Sequence, residues 1–266
     1  MISNLAVGYD NIDVAAATRC GVLVAHTPGV LAETTADFAL ALMLAAARRV
    51  IDGAQYVRAG RWRTWGPELL LGRDLWGATL GIVGMGQVGQ AVARRAAGFG
   101  MRILYYTPRR RLEDEREGGP AYASLDQLLA ESDIVSLHCP ANTETRGLMN
   151  GQSFARMREG ALLINTARGA VVDLDACFQA LKSGRLGGAG LDVLSSEPPP
   201  ADHPLIRAYA AQEDWLRDRL ILTPHAAWYA PESWQDMRRL AVERLIAYLR
   251  HGEDSCVVNK AFLRPR

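Results

Sequence analysis

Three polar side chains, Arg168, Glu197 and His225, each stand at or just beyond a predicted strand and could share acid–base and carboxylate chemistry. An arginine can clamp a carboxylate through charge-assisted hydrogen bonds and polarise an adjacent carbonyl group. A histidine titrates near neutrality and can pass a proton to a carbonyl oxygen as hydride arrives, while a neighbouring carboxylate fixes its tautomer. Each residue taken singly is more often structural. Because open α/β sheets bind ligands at the carboxyl ends of their strands, the three together predict one catalytic site.

A glycine-rich turn, Gly84–Gly89, reads Gly-Met-Gly-Gln-Val-Gly directly after the apolar run Thr79–Val83. In a dinucleotide site the first glycine makes the turn, the second lets the backbone approach a pyrophosphate, and the third allows close helix–strand packing. The helix that follows would face the anion with its N-terminus. The strand–turn–helix context favours a dinucleotide-binding site over a purely structural turn.

The end of the next predicted strand bears on the choice of cofactor. An NAD site usually carries an acidic residue about 20 residues after the glycine turn. Here Thr107 stands 23 residues after Gly84 and is followed by the run Pro108–Arg111, which holds three arginines. A hydroxyl and guanidinium groups suit a 2′-phosphate, so NADP (as NADPH) is favoured. The alternative is a solvated basic loop balanced by the acidic residues 113–115, and NAD then remains a candidate.

Short β-branched runs alternate with helix-like stretches over most of the chain. The predicted strands are Thr79–Val83, Met101–Tyr106, Ile134–His138, Ala161–Asn165, Ala189–Val193 and Arg219–Thr223. The predicted helices between them are Val88–Phe99, Ser124–Ala130, Gly151–Met157 and Asp173–Ser183. Apolar runs without alternation are typical of parallel strands covered on both faces. The rhythm predicts an α/β fold, a doubly wound parallel sheet of the Rossmann type.

The two ends of the chain differ from its middle. They hold short predicted strands within Met1–Leu5 and residues 21–25, a long helix Ala32–Val50, and a final amphipathic helix Glu232–Leu249. We therefore predict a dinucleotide-binding domain over residues 32–228, which includes the linking helix. Residues 1–31 would form part of a second domain, and residues 229–266 would return to it.

The composition narrows the class of protein. The chain of 266 residues carries 30 Lys and Arg against 29 Asp and Glu, so its net charge of +1 predicts no binding to nucleic acid or to an anionic membrane. The longest apolar run, Phe38–Ala47, is too short to span a membrane, and the N-terminus lacks the basic flank of a signal peptide. Four well-separated cysteines predict neither a metal site nor disulfides. We expect a cytoplasmic globular protein.

The whole chain resembles the D-isomer-specific 2-hydroxyacid dehydrogenases, and most of all their glyoxylate/hydroxypyruvate reductase branch. The motifs that carry the resemblance are Asn4–Asp13, His26–Val30, Gly84–Gly89, Asn165–Gly169, Gly190–Val193, Glu197-Pro198 and Thr223–His225. The run Ala96–Tyr106 resembles the corresponding segment of the reductase branch, whose members often prefer NADPH. The segments Ala226–Tyr229 and Cys256–Lys260 are also similar to the C-terminal-binding-protein branch, whose members act as transcriptional co-repressors.

The resemblance implies a Rossmann domain, a flavodoxin-like substrate domain and a role for each matching residue. Arg168 would hold the carboxylate and carbonyl of the substrate, His225 would be the acid/base and Glu197 its partner. Backbone amides of Ala6, Val7 and Gly8 would bind the substrate carboxylate. The expected cofactor contacts are Gly84, Gly86, Gln87, Val88, Gly89, Thr107, Pro108, Arg109, Arg110, Cys139, Pro140, Thr166, Ala167, Arg168, Asp192, His225 and Ala227.

Two of these implied contacts have structural alternatives. Asp192 would lie near the nicotinamide carboxamide, but it would serve equally as a cap at the end of its strand. Cys139 and Pro140 would lie near the adenine. The alternative for Cys139 is a small buried core residue, which is equally compatible with an adenine resting against it, so the thiol itself implies no reactivity. Members of the family are commonly homodimers joined through the coenzyme domain. The expected surfaces are Ala32–Val50 and Trp62–Leu71, with ordinary core packing as the alternative.

The chain departs from the family pattern in two places. Family members carry several strands and helices before the segment equivalent to Asn4–Gly8, so we expect most of the substrate domain to be absent and Met1 to be an internal start or a fragment boundary. Glu197 and His225 are 28 residues apart, a spacing lengthened by residues 206–218, which we expect to form a helical surface excursion.

The favoured function is reduction of glyoxylate, hydroxypyruvate or a similar small 2-keto acid with NADPH. One alternative is a nucleotide-binding regulatory or co-repressor-like protein. The other is a truncated form that binds the cofactor without turnover.

Overall fold

The computed structural model describes residues 1–111, 118–217 and 219–260, so the predicted acidic run at 113–115 and position 218 lie outside the described residues. The chain divides into two compact units. The larger unit is Thr35–Ala227, and the smaller unit combines Met1–Thr34 with Trp228–Arg266. The larger unit thus starts and ends within a few residues of the boundaries expected for the dinucleotide-binding domain.

The strands are β1 (Ile2–Ser3), β2 (Val24–Ala25), β3 (Thr79–Val83), β4 (Arg102–Tyr106), β5 (Ala121–Tyr122), β6 (Ile134–Leu137), β7 (Ala161–Asn165), β8 (Leu186–Leu191) and β9 (Leu220–Leu222). The α-helices are α1 (Val14–Arg19), α2 (Ala32–Arg48), α3 (Val50–Arg58), α4 (Gln87–Gly98), α5 (Leu125–Glu131), α6 (Gly151–Arg156), α7 (Leu174–Lys182), α8 (Pro204–Ala210) and α9 (Pro231–His251). None of these helices, as far as the chain is described, is both long and apolar enough to cross a membrane.

The larger unit contains a seven-stranded sheet in the order β5-β4-β3-β6-β7-β8-β9, with every neighbouring pair parallel. The chain runs outward from β3 to β5, then crosses back to β6 and runs outward on the other side. The strand order therefore reverses between β3 and β6, where Val83 pairs with Leu137. Open sheets bind ligands at such a reversal, outside the carboxyl ends of the strands. The predicted doubly wound sheet is confirmed.

Both faces of the sheet are covered. Every residue of β3, β6 and β7 is buried, which explains why these runs are apolar without alternation. Helix α2 packs on one face, where Leu40 and Met43 join the core formed with Leu80 and Ile82. Most apolar residues of α2 therefore pack in the core of their own unit. This is the core packing named above as the alternative to a dimer surface on Ala32–Val50.

The segment between Glu197 and His225 agrees with the expectation except at its buried residues. Helix α8 begins at Pro204 and is short, and its residues Leu205 and Ala208 are buried in the core of the larger unit together with Leu216. Most residues of 206–217 are exposed, as expected of a surface excursion, but the apolar side chains of Ala208 and Leu216 anchor this mostly polar segment to the sheet layer. Helices α1 and α3 and the two-residue strand β5 were not predicted.

The smaller unit is tied together by side chains that are distant in sequence. Strands β1 and β2 pair in parallel, and the side chain of Asn259 accepts from Val24 N at 2.9 Å and donates to Val22 O at 3.0 Å. The Ser3 hydroxyl donates to the carbonyl oxygen of Ala241 in α9 at 2.7 Å. The beginning and end of the chain thus build one unit.

Candidate active site

The glycine turn after β3 has the geometry of a pyrophosphate cradle. Gly84 has φ +102°, and a Cβ atom there would lie 2.6 Å from the backbone nitrogen of Cys139. A Cβ atom on Gly89 would lie 2.1 Å from the carbonyl oxygen of Gly84. A Cβ atom on Gly86, by contrast, would meet no described atom within 4 Å. The first and third glycines pack the turn, while the second faces open space at the N-terminus of α4, where an anion is favoured. The residues fit a dinucleotide.

The loop after β4 carries the residues expected to recognise the 2′-phosphate. The Thr107 hydroxyl donates to the carbonyl oxygen of Arg109 at 2.6 Å. The buried hydroxyl of Tyr105 bonds both the backbone N–H and the carbonyl of Arg111, each at 3.0 Å. The Arg110 guanidinium lies 5.8 Å from the centre of the Tyr122 ring. Tyr105 of β4 and Tyr122 of β5 thus both contact this loop. The side chains of Arg109 and Arg110 are exposed.

The first two residues of the loop after β6, His138 and Cys139, carry no charge. Burial lowers the pKa of His138 to about 4, and its Nε2 atom lies 2.8 Å from the Ser136 hydroxyl. Burial raises the pKa of Cys139 to about 11, so its thiol is not a nucleophile at neutral pH. The loop next to the glycine turn therefore offers a neutral surface, as stacking of an adenine would require. The expected contacts of Cys139 and Pro140 with adenine stay predictions.

The loop after β7 holds Arg168 through a buried asparagine. The Asn165 side chain accepts from Ala167 N and donates to Arg168 O, both at 3.0 Å. The Thr166 hydroxyl is buried and has no hydrogen-bond partner among the described residues, which leaves a polar atom for a ligand. Asn165 begins the family motif Asn165–Gly169, but its sequence position alone predicted no role in positioning Arg168.

The loops after β7 and β8 touch through their backbones. A Cβ atom on Gly169, next to Arg168, would lie 1.9 Å from the carbonyl carbon of Leu194. The N–H of Leu194 in turn donates to Oε1 of Glu197 at 2.9 Å. The arginine loop and the glutamate loop are therefore joined at a point where only glycine fits.

The predicted acid–base pair is present. Nδ1 of His225 lies 2.7 Å from Oε2 of Glu197, and the two side chains are 41% and 38% exposed. Because a carboxylate oxygen only accepts, Nδ1 carries the proton, and Nε2 is left to exchange a proton with a ligand. His225 has φ +54°, an uncommon conformation for a residue other than glycine.

Asp192 holds the loop that carries this histidine. The carboxylate is 1% exposed and accepts from the Thr223 hydroxyl at 2.6 Å, Ala226 N at 2.8 Å and Ala227 N at 2.9 Å. The backbone carbonyl of Asp192 also accepts from His225 N at 2.8 Å. These contacts are those of a strand-end cap, the alternative role. A contact with the nicotinamide stays a prediction.

The predicted site residues fall into two groups. All those from Gly84 to Ala227 belong to the larger unit and follow the carboxyl ends of its parallel strands β3, β4, β6, β7, β8 and β9. They therefore share one edge of the sheet. Ala6, Val7 and Gly8 belong to the smaller unit, in the loop after β1.

Comparison with known proteins identifies the class. Residues 40–227 match the family model described as "D-isomer specific 2-hydroxyacid dehydrogenase, NAD binding domain". Glyoxylate reductase of Korarchaeum cryptofilum is 49% identical over 267 residues, which cover 100% of this chain and 78% of that protein. The chain belongs to the D-isomer-specific 2-hydroxyacid dehydrogenase family, and the resemblance in its motifs is confirmed. It is an enzyme that transfers hydride between a nicotinamide cofactor and a 2-keto or 2-hydroxy acid.

Two solved structures bear on the cofactor. The NADPH-dependent glyoxylate/hydroxypyruvate reductase from Sinorhizobium meliloti, in complex with NADP and malonate, aligns with a TM-score of 0.86 and 32% identity over 99% of this chain and 78% of that one. D-lactate dehydrogenase from Aquifex aeolicus, complexed with NAD and lactic acid, aligns with a TM-score of 0.83 and 33% identity over 98% and 79%. Together they support a nicotinamide cofactor without selecting between NAD and NADP.

Replacing Gly86 by alanine tests the cradle. We expect Gly86→Ala to raise the dissociation constant for NADPH about tenfold or more, about 1.4 kcal/mol, because the added methyl group occupies space at the helix N-terminus. The melting temperature stays near that of the wild type, since the methyl group meets no protein atom. NADPH fluorescence titration and thermal denaturation measure the two effects.

Gly98→Ala is the matched control, because a Cβ atom there also meets open space but lies at the far end of α4. We expect it to leave NADPH affinity unchanged. Equal affinities for the two variants would show that the cofactor does not approach Gly86.

Proposed function

We propose that this enzyme reduces small 2-keto acids, glyoxylate or hydroxypyruvate, with NADPH as the preferred donor. The observation that carries the proposal is the 2.7 Å hydrogen bond between His225 and Glu197 at the sheet edge that also carries the glycine turn. The name of the Korarchaeum relative supports the choice of glyoxylate, and that of the Sinorhizobium structure supports glyoxylate or hydroxypyruvate.

The proposed mechanism gives each side chain one task. Arg168 binds the substrate carboxylate and polarises the adjacent carbonyl, since its guanidinium offers paired donors. The cofactor, when bound, supplies hydride to the carbonyl carbon. Nε2 of His225 donates its proton to the carbonyl oxygen, which yields the 2-hydroxy acid. Glu197 accepts a hydrogen bond from Nδ1 of His225 and keeps the ring oriented.

We propose that Thr107, Arg109 and Arg110 recognise the 2′-phosphate of NADPH. Both arginines are exposed, and Thr107 and Tyr105 bond the backbone of the loop that carries them. Guanidinium groups bind a phosphate dianion through charge-assisted hydrogen bonds that the 2′-hydroxyl of NADH cannot match. The domain roles follow: the larger unit binds the cofactor, and the loop Ala6–Gly8 of the smaller unit binds the substrate carboxylate. The cytoplasmic location stays a prediction from composition.

We also propose that two copies of the chain form a homodimer through the segment Trp62–Leu71. Trp62 is 64% exposed, Trp65 is 81% exposed and Leu71 is 68% exposed in the single chain. Tryptophan is enriched among the residues that dominate binding at interfaces, and clustered exposed apolar residues indicate a covered surface.

Replacement of the histidine tests the chemistry. We expect His225→Ala to lower kcat by roughly 10² to 10⁴, the range for loss of a general acid, with NADPH affinity nearly unchanged. The measurement follows NADPH absorbance with glyoxylate, hydroxypyruvate and pyruvate in turn, and with NADH in parallel. His251→Ala, at an exposed position in the last turn of α9, is the control and keeps wild-type turnover. Unchanged kcat in His225→Ala would remove the histidine from the mechanism.

Removal of the two arginines tests cofactor preference. We expect Arg109→Ala with Arg110→Ala to weaken NADPH binding about tenfold or more and NADH binding less than about twofold, because only NADPH carries the phosphate. Dissociation constants for both cofactors give the comparison. Arg207→Ala with Arg217→Ala removes the same charge at two other exposed positions and leaves the ratio unchanged. Equal losses for both cofactors would contradict recognition of the phosphate.

Sedimentation tests the dimer. We expect the wild-type protein to sediment at twice the chain mass of 29.0 kDa, and Trp65→Ser to raise the dimer dissociation constant about tenfold or more. Tyr229→Ser changes an aromatic residue of the smaller unit that is 74% exposed and leaves the dimer intact. A monomeric wild-type protein at micromolar concentration would refute the proposed interface.

A further inference from the structure

The loop Ala6–Gly8 has all three of its carbonyl oxygens held by donors of the smaller unit. In chain order they accept from the backbone N–H of Thr27 at 3.1 Å, from Nδ1 of His26 at 2.8 Å and from Nδ2 of Asn4 at 2.7 Å. Three consecutive carbonyls in a loop that belongs to no strand or helix are thus fixed by tertiary contacts.

This arrangement also orients the amide groups of the loop. The peptide unit is planar and trans, so each N–H points opposite to the carbonyl of the preceding residue. The N–H groups of Val7, Gly8 and Tyr9 therefore point away from the donors that hold the carbonyls. Nothing in the described part of the chain accepts a hydrogen bond from these three groups. Successive backbone N–H groups without an internal acceptor are suited to binding an anion.

Two of the three donors are themselves fixed. The His26 ring meets the edge of Tyr9 with ring centres 5.5 Å apart and planes at 85°, and the backbone N–H of His26 donates to the carbonyl of Cys256 at 3.2 Å. Because Val7 O only accepts, Nδ1 of His26 must carry hydrogen. Asn4 is buried and its side chain also pairs with that of Asn11.

We propose that His26 is a positioning residue for the substrate carboxylate. By donating to the central carbonyl of the loop it fixes the peptide plane whose N–H belongs to Gly8, and the fixed plane presents that N–H to the acid. His26 acts through the loop and is not assigned a contact with the substrate. The inference rests on the proposed function, in which this loop binds the carboxylate.

Two substitutions separate the donor from the ring. His26→Phe keeps an aromatic ring against Tyr9 and removes the hydrogen-bond donor. His26→Asn removes the ring but places an amide nitrogen at the same number of bonds from the backbone as Nδ1, so it can still donate to Val7 O. We expect His26→Phe to raise KM for glyoxylate about tenfold, with kcat and NADPH affinity unchanged, and His26→Asn to restore KM to within about twofold of the wild type.

Calorimetric binding of oxamate to the NADPH complex supplies a readout that needs no turnover. If the wild type binds oxamate without reducing glyoxylate, and His26→Phe weakens oxamate binding tenfold, the role of His26 stands while the proposed reaction fails. If the wild type turns over and His26→Phe and His26→Asn have equal KM values, or if kcat and NADPH affinity fall while KM rises, the role of His26 is refuted and the proposed reaction stands. A wild-type protein that neither reduces glyoxylate nor binds oxamate would overturn both.

Discussion

The buried carboxylate of Asp192 orders the part of the site on which the chemistry depends. A carboxylate that is 1% exposed is stable only when its oxygens are hydrogen-bonded, and here one hydroxyl and two backbone N–H groups of the loop after β9 supply those bonds. The same contacts hold His225 in a backbone conformation that its side chain alone would not favour. Loss of the side-chain carboxylate would leave these three donors without their acceptor, so the shape of the loop and the burial of Asp192 depend on each other.

The parallel sheet explains why residues far apart in sequence reach one edge. The strands from β3 to β9 all run in the same direction. Each crossover therefore returns the chain from the carboxyl ends of the strands to their amino ends before the next strand begins. Side chains with chemical roles are therefore confined to the loops at the carboxyl ends, while the strands supply the apolar core. The reversal of strand order between β3 and β6 leaves room beside Gly86 for a dinucleotide, with neutral His138 and Cys139 next to it.

The sequence predicts those parts of the fold that leave a local signal. Strands β3 and β7 match their predicted bounds because both faces are buried and the apolar run is as long as the strand. Helices α1 and α3 have only six and nine residues, none of them buried, and β5 has only two residues, so they leave a weak signal in the sequence. In the site, Arg168, Glu197 and His225 were predictable from their positions at strand ends. The cap formed by Asp192 was one of its two predicted roles. The roles of Asn165 and His26 were not predicted, because their partners are set by hydrogen-bond geometry that residue type does not reveal.

The close approach at Gly169 has a consequence for how this site can change over evolution. The backbones of the loops that carry Arg168 and Glu197 touch where no side chain fits, so neither loop can be displaced without moving the other. The arginine loop and the glutamate that orients His225 are thus held together as one unit. New substrates would have to be accommodated by changes in other residues, while the distance between the two loops, set by backbone contact, stays constant.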